Sequence, residues 1–387
     1  MIRRTHGGVA VSEIGVGAYS LSGGYGRKDV VEFKRMVGRA HELGVNFFDV
    51  AEGYGDAERI LGEALAPFRE DVIIATKVGL REGATPNLSY DYISDACEKS
   101  LHRLNTDHID LYQVHFDDPG TPVEESVEAL ERLVDEGKIL HYGVGHLPEE
   151  RIREYCSKGN VFSVLMELSA VSRTAETTLL PSCREFGAAA IAFSTTGRGI
   201  LTGAFDDGLS LEKEDIRRID SLFHRESFES ATRIAEGFRE VGESHDRTTA
   251  QVAISWVLSH EDVVCALTGP STVPHLEENL GASGWSIPRT DMGTLDEMLQ
   301  REEDWLRDRR LTSLTEILNK ALPTDRDDSV RDLLYVMETA ATAGSAKEHE
   351  LMPLFAELFE LKERGKEDVS VGLEGIQRRL TELLKPR

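Results

Sequence analysis

Eight short apolar runs alternate with helical runs across most of this 387-residue chain, and that alternation constrains the fold more than any other feature. Hydrophobic periodicity predicts strands near 13–18, 46–50, 72–77, 109–114, 140–144, 162–166, 189–193 and 263–268. It predicts helices near 29–43, 56–66, 89–103, 123–136, 148–157, 175–186, 228–243 and 273–282, with an extra one near 248–260. Apolar strands separated by helices form a parallel sheet covered on both faces. Eight such units close a (β/α)8 TIM barrel. A doubly wound sheet fits the same pattern, but no G-x-G-x-x-G turn follows the first strand. Residues 1–12 read as a small hairpin closing the barrel bottom, with Gly7-Gly8 as its turn.

The candidate chemistry is organised around Asn46 to Gly62, N-F-F-D-V-A-E-G-Y-G-D-A-E-R-I-L-G. Asp49 falls at the C-terminal end of a short strand and Tyr54 in the following turn, where a barrel keeps its reactive groups. The run V-I-I-A-T delivers Lys77, and I-D-L-Y-Q-V delivers His115. A tyrosine ordinarily loses its proton near pH 10. An adjacent lysine ammonium is expected to lower that value, with a buried aspartate holding the ammonium in place. A histidine adds a second donor to a substrate oxygen. Together the four form a proton donor aimed at a carbonyl that is accepting hydride. Taken singly, each has a plain structural explanation: a strand-end cap, a wall residue, a solvated charge and a core histidine. It is their joint placement at three successive strand ends that points to catalysis.

The segments D-V-A-E-G-Y-G-D-A-E-R-I-L-G, I-I-A-T-K-V-G and D-L-Y-Q-V-H resemble the aldo-keto reductase family. The resemblance continues through E-G-K-I-L-H-Y-G-V-G, F-S-T-T-G-R-G-I-L-T-G and L-T-G-P-S-T-V-P-H-L-E-E-N-L-G-A, covering roughly residues 1–300. It implies a catalytic tetrad of Asp49, Tyr54, Lys77 and His115, and an NADP(H) or NAD(H) cofactor lying across the C-terminal face of the barrel. The cofactor contacts it implies are Tyr19, Asp49, His146, Phe193, Ser194, Gly197, Arg198, Gly199, Leu201, Gly269, Ser271, Thr272, Glu278 and Asn279. Of these, Arg198 and the surrounding amides would face the pyrophosphate. Gly269 to Asn279 would form the phosphate and adenine motif at a helix N-terminus.

Six positions depart from the family pattern. Where the family has Gly-Val-Ser-Asn, this chain has Gly143-Val144-Gly145-His146, and Leu165 stands where a glutamine holds the nicotinamide amide. Phe193 keeps an aromatic face without a hydroxyl. Thr272 and His275 take the places of the usual Lys or Arg for a 2′-phosphate, which opens NAD(H) as an alternative to NADP(H).

The formal charge of −25 argues against a nucleic-acid or anionic-membrane surface. No apolar run reaches the roughly 18 residues of a membrane span. The N-terminal M-I-R-R-T-H-G-G-V-A lacks the apolar core of a signal peptide, so the expected address is cytoplasmic. Cys97, Cys156, Cys183 and Cys265 include no short-spaced pair and read as reduced packing residues; no metal site is expected.

The expected barrel domain covers 1–300, ending on a helix near Thr294 to Leu299, and the remaining 301–387 read as a small all-α bundle. Apolar stripes begin at Leu311, Val330, Leu351 and Ile376, with breaks at Pro323–Asp328, Gly344–Ser345 and Gly365–Lys366. The expected role of this extension is a protein or homo-oligomer contact, a lid over the barrel mouth, or a stabilising appendage. The function expected for the whole chain is an NAD(P)-dependent carbonyl reductase or alcohol dehydrogenase acting on a small-molecule substrate. Its alternatives are a binding or regulatory module and non-redox lyase or epimerase chemistry.

Overall fold

A computed structural model of the chain describes residues 1–26, 29–80, 86–205, 211, 215–342, 348–363 and 369–385. The chain divides into two compact units, Met1–Thr202 with Arg239–Pro288, and Gly203–Phe238 with Arg289–Arg387.

The first unit opens with β1 (Arg3–His6) and β2 (Val9–Ser12), an antiparallel pair turning through Gly7 and Gly8. Both glycines have positive φ, +53° and +85°, as a two-residue hairpin turn requires. The alternation then runs β3 (Ile14–Gly17), α1 (Val30–Glu42), β4 (Phe47–Asp49), α2 (Ala57–Leu65), β5 (Ile73–Val78), α3 (Tyr90–Leu104), β6 (Ile109–Val114) and α4 (Val123–Asp135). It continues with β7 (Ile139–Gly145), α5 (Glu149–Lys158), β8 (Ser163–Glu167), α6 (Thr174–Thr177), α7 (Leu179–Phe186) and β9 (Ala189–Phe193). After the helix α8 (Arg225–Ser244) come α9 (Thr249–Leu258), β10 (Val263–Thr268) and α10 (Val273–Leu280).

Strands β3 to β10 close a barrel in sequence order, each parallel to its neighbours, with β10 pairing back onto β3. The doubly wound alternative is thereby excluded. Each strand is within two residues of its expected position, because a strand buried on both faces reads as an unbroken apolar run. The barrel interior is filled by side chains, among them Phe47, Ala75, Leu111, Leu165, Ile191 and Leu267. Val9 and Val11 of the hairpin pack onto this cluster. The four cysteines are free and lie on α3, α5, α7 and β10.

The second unit contains residues 203–238 together with α11 (Arg289–Asn319), α12 (Arg326–Thr342), α13 (Glu348–Glu363) and α14 (Ser370–Leu383). Its core is a separate cluster that includes Leu314, Ile317, Leu333, Met337, Leu358, Ile376 and Leu380. Ile219, from the segment between β9 and α8, belongs to the same cluster. In this unit Tyr335 Oη donates to Glu226 Oε1 at 2.5 Å, and His224 Nε2 lies 2.7 Å from Asp332 Oδ1.

Residue 300, the expected end of the barrel domain, falls inside α11 (Arg289–Asn319). The expected last barrel helix and first tail helix are one 31-residue helix. Residues 300–310, Q-R-E-E-D-W-L-R-D-R-R, contain neither Gly nor Pro, so nothing in them stops a helix. The breaks expected at Gly344–Ser345 and Gly365–Lys366 lie outside the described residues. Among the described residues no helix is long and apolar enough to cross a membrane.

Close packing of α2 on α3 depends on Gly62. A Cβ there would lie 2.2 Å from Leu104 O. Alanine gains about 1 kcal/mol of helix propensity over glycine, but overpacking against a fixed backbone carbonyl costs about 1–3 kcal/mol. Gly62→Ala is therefore expected to lower the urea midpoint of unfolding, monitored by circular dichroism. An unchanged or raised midpoint would show that the helix pair opens at this contact without cost.

Candidate active site

Successive residues of a strand point to opposite faces, so every second residue shares the barrel interior. The face that carries Phe47, Ala75 and Leu111 in the core carries Asp49, Lys77 and Gln113 one step nearer the C-terminal ends. His115 follows Gln113 by the same interval. Asp49 and Lys77 are 5% and 2% exposed, and Lys77 Nζ donates to Asp49 Oδ1 at 2.5 Å and to Val50 O at 2.7 Å. Gln113 Nε2 donates to Asp49 Oδ2 at 3.3 Å. The sequence reading overlooked Gln113, although its position two residues before His115 was the available signal. Burial drives the Asp49 carboxyl upward and the Lys77 ammonium downward, and the ion pair between them opposes both shifts.

Tyr54 sits in the turn after β4, with its ring centroid 5.2 Å from Lys77 Nζ, 5.8 Å from the His115 ring and 5.1 Å from the Tyr19 ring. The direction of the phenol's net shift is opposite to the expected one, because burial outweighs the nearby ammonium. Burial pushes Tyr54 well above the usual tyrosine range, and the negative charge of Asp49 adds to the shift. The lysine ammonium is already engaged by Asp49 and Val50. The phenol therefore holds its proton at neutral pH.

His115 is 2% exposed, and its Nδ1 is buried without a hydrogen-bond partner among the described residues. Burial holds its imidazolium well below the usual histidine range, with Lys77 contributing. His146, immediately after β7, has φ +48°, a left-handed conformation uncommon for a residue with a Cβ. The residue is exposed, and its ring lies 5.0 Å from Phe116, 4.7 Å from Phe193 and 5.5 Å from His115 between centroids. The surrounding protein, chiefly by desolvation, lowers its pKa to about 4.

The remaining residues singled out for a dinucleotide lie on the C-terminal side of β9 and β10. Ser194, Gly197, Arg198 and Gly199 all have positive φ, a repeated left-handed pattern of the kind found in backbone anion concavities. Leu201 is buried in the same segment, and Thr195 Oγ1 donates to Leu267 O at 3.2 Å, tying the loop to β10. Arg198 is not an open charge, because its guanidinium pairs with Glu167 at 3.0 Å. A Cβ on Gly269 would meet nothing within 4 Å. Thr272 caps α10 through the His275 amide, Ser271 Oγ lies 3.3 Å from His275 Nδ1, and Glu278 and Asn279 are half-buried on that helix.

One contact here joins residues too far apart in sequence to be anticipated. Glu32 Oε1 on α1 accepts from Val273 N–H at 3.1 Å, and Arg35 is forked onto the same carboxylate at 2.8 and 2.9 Å. One amide at the N-terminus of α10 is therefore already taken by an internal anion. Elsewhere the donor set fits a nicotinamide dinucleotide. A neutral His146 imidazole offers one donor and one acceptor, which matches a carboxamide, and Phe193 offers a ring face. Leu165 is buried in the barrel core and offers no polar contact.

Both imidazoles are neutral at pH 7. The unfolded chain would bind protons on them near pH 6.5, so these groups make the fold less stable as pH falls through that range. In an NMR titration of imidazole-labelled protein, His146 is expected to change charge near pH 4 rather than in the ordinary range. A midpoint near 6.5 would overturn its assignment as a neutral group.

Residues 13–300 match the model of the aldo/keto reductase family. The chain is 31% identical over 305 residues to the aldo-keto reductase str7 of Strobilurus tenacellus, covering 76% of this chain and 90% of that protein. It is 33% identical over 280 residues to the uncharacterized oxidoreductase YqkF of Bacillus subtilis, covering 70% and 87%. Among solved structures, it resembles the glycerol dehydrogenase AKR11B4 from Gluconobacter oxydans with a TM-score of 0.72 at 27% identity, covering 78% of this chain and 95% of that one. The holo form of the aldo-keto reductase AKR11C1 from Bacillus halodurans gives a TM-score of 0.66 at 28% identity, covering 77% and 96%. A family match spanning most of the chain, together with a closed parallel barrel, places this protein in the aldo/keto reductase family of oxidoreductases.

Proposed function

We propose that the chain is an NAD(P)H-dependent carbonyl reductase in which Tyr54 is the general acid. The observation that carries this reading is the convergence of Tyr54, Lys77, Asp49 and His115 at one end of the barrel. A reduced nicotinamide dinucleotide, when bound, supplies the hydride for the carbonyl carbon. Negative charge then develops on the carbonyl oxygen, and the protonated Tyr54 phenol gives its proton to that atom. The Lys77 ammonium stabilises the phenolate left behind, and Asp49 keeps that ammonium charged despite its burial. His115, neutral and buried, donates to the same oxygen and fixes the orientation of the carbonyl. In the direction of alcohol oxidation the same groups act in reverse, with Tyr54 accepting the proton.

His146 and Phe193 would hold the nicotinamide, the 194–201 backbone with Arg198 the pyrophosphate, and Gly269 to Asn279 the adenosine. NADP(H) is the cofactor expected of the family. Two features support NAD(H) instead. No Lys or Arg lies between Gly269 and Asn279, and Glu32 brings a carboxylate to the helix N-terminus where a 2′-phosphate would add a like charge.

Two measurements test this reading. Fluorescence titration with NADH and NADPH at matched salt is expected to give saturable binding of at least one, and binding of neither by folded protein would sink the reductase reading. Tyr54→Phe is expected to lower kcat by about 100-fold or more, the contribution of a positioned general acid. Coenzyme Kd should stay within about threefold of wild type, because the change removes only a hydroxyl. Turnover surviving in Tyr54→Phe would mean that another group supplies the proton.

A further inference from the structure

Tyr54 stands in residues 50–56, the segment that joins β4 to α2. Val50 and Ala51 are buried, but the residues after them, E-G-Y-G-D, include two glycines and no aliphatic side chain. Apolar packing alone therefore does not fix this part of the loop. Two short-range bonds shape it: Tyr54 N–H donates to Ala51 O at 3.1 Å, and Ala57 N–H donates to Tyr54 O at 3.3 Å. They define a turn without setting where that turn lies against Lys77. The backbone bonds to β5 weaken along the loop, from Val50 N–H to Ala75 O at 2.9 Å to Glu52 N–H to Lys77 O at 3.4 Å.

The side chain of Glu52 takes over where those bonds fade. Its Oε1 accepts from the Gly79 amide at 2.8 Å and from Tyr92 Oη, on the first turn of α3, at 3.0 Å. Gly79 follows Lys77 by two residues and is itself held firmly. Its φ is +110°, a Cβ there would lie 2.6 Å from Leu88 Cδ2, and Asn87 N–H donates to Gly79 O at 2.9 Å. The loop also lies close against the chain after β5, since a Cβ on Gly53 would come within 3.2 Å of Leu80 Cδ2. One carboxylate oxygen thus ties the Tyr54 loop to the end of β5 and to α3.

A glutamate in a loop is ordinarily a solvated surface charge. Glu52 is half-buried, and burial pushes its carboxyl above the usual carboxylate range while the Gly79 and Tyr92 bonds pull it back. Taking a carboxylate out of water costs free energy that two directional donors offset. Hydrogen bonds fix both distance and direction, and proton transfer is sensitive to each. A displacement of about 1 Å at a reacting group can lower a rate by about 100-fold.

We infer that Glu52 is a positioning residue of the proposed reductase: by holding the 50–56 loop to Gly79 and Tyr92, it sets where the Tyr54 phenol stands relative to Lys77 and the carbonyl oxygen. This rests on the proposed function and adds to it a residue outside the group of four that performs the chemistry. Glu52 touches none of the reacting atoms and transfers no proton. Both of its donors are neutral groups, so the acceptor oxygen and its reach carry the effect, and the negative charge does not.

The test uses the full chain, whichever coenzyme binds, and the faster of benzaldehyde and glyceraldehyde as probe. Glu52→Ala is expected to lower kcat by about 10- to 100-fold, with coenzyme Kd within about threefold of wild type. Glu52→Gln keeps the acceptor without the charge and should stay within about threefold of wild type in kcat. Glu52→Asp keeps the charge but is one methylene too short to reach both donors. It should behave as Glu52→Ala does, and it stands in for that variant should alanine fold poorly. Tyr54 gives a readout free of turnover. Burial is the chief cause of its raised pKa, so freeing the loop should bring tyrosinate formation down toward the ordinary value near 10. Ultraviolet difference absorbance reports that change as a signal lost on adding Tyr54→Phe. Unchanged kcat in the alanine and aspartate variants, glutamine as slow as alanine, an unmoved Tyr54 titration, or coenzyme Kd weakening in step with kcat would each overturn this inference and leave the reductase reading standing. Coenzyme binding without turnover of any carbonyl would overturn the reductase reading, and the Tyr54 titration would then decide the role of Glu52 in holding the loop.

Discussion

The ion pair between Lys77 and Asp49 is the contact on which the candidate site depends. Two opposite charges stand 2.5 Å apart at 2% and 5% exposure, deep enough that water compensates neither. Removing one partner of such a pair leaves a buried charge and costs about 3–5 kcal/mol. The barrel meets this cost by completing the shell around the pair: Val50 O takes a second lysine proton and Gln113 donates to the other carboxylate oxygen. Adjacent strands β4, β5 and β6 are locked in register by the same contacts. Structure and proposed chemistry thus draw on one arrangement, because the ammonium that holds the strands together is the one that would stabilise a Tyr54 phenolate.

A second buried carboxylate supports that arrangement from outside the barrel wall. Glu58 on α2 is fully buried, accepting from Thr76 Oγ1 at 2.7 Å and from Arg103 Nε at 2.6 Å. Thr76 precedes Lys77 and points the opposite way, so Glu58 fixes the outer face of β5 while Asp49 engages the inner one. The loop that carries Tyr54 is thereby anchored at both ends, at β4 and at α2. The helical unit has a different economy. Its core is largely aliphatic with Tyr335 and Met337 included, and buried polar groups pair with one another, as in Tyr335 with Glu226 and His224 with Asp332.

Much of this was legible in the sequence because it depends on short-range periodicity. A two-residue repeat in the strands and a 3.6-residue repeat in the helices located nearly every element, and strand-end positions singled out Asp49, Lys77 and His115. Two features were misread, for different reasons. The pKa of Tyr54 depends on how deeply the phenol is buried and on which partner claims the lysine, and neither is a property of spacing. The helix expected to end at Leu299 runs on to Asn319, because no residue in between stops it.

By itself the sequence determined the order of strands and helices, their parallel arrangement, and which titratable residues reach the C-terminal ends of the strands. These follow from side-chain periodicity and from the burial that apolar runs demand. Only the tertiary structure decided that Gln113 serves Asp49, that Arg198 pairs with Glu167, and that Glu32 caps a helix 241 residues away. The physical reason is closure. Bringing β10 back against β3 sets residues from opposite ends of the chain within hydrogen-bonding reach, and no local pattern encodes which of them will meet.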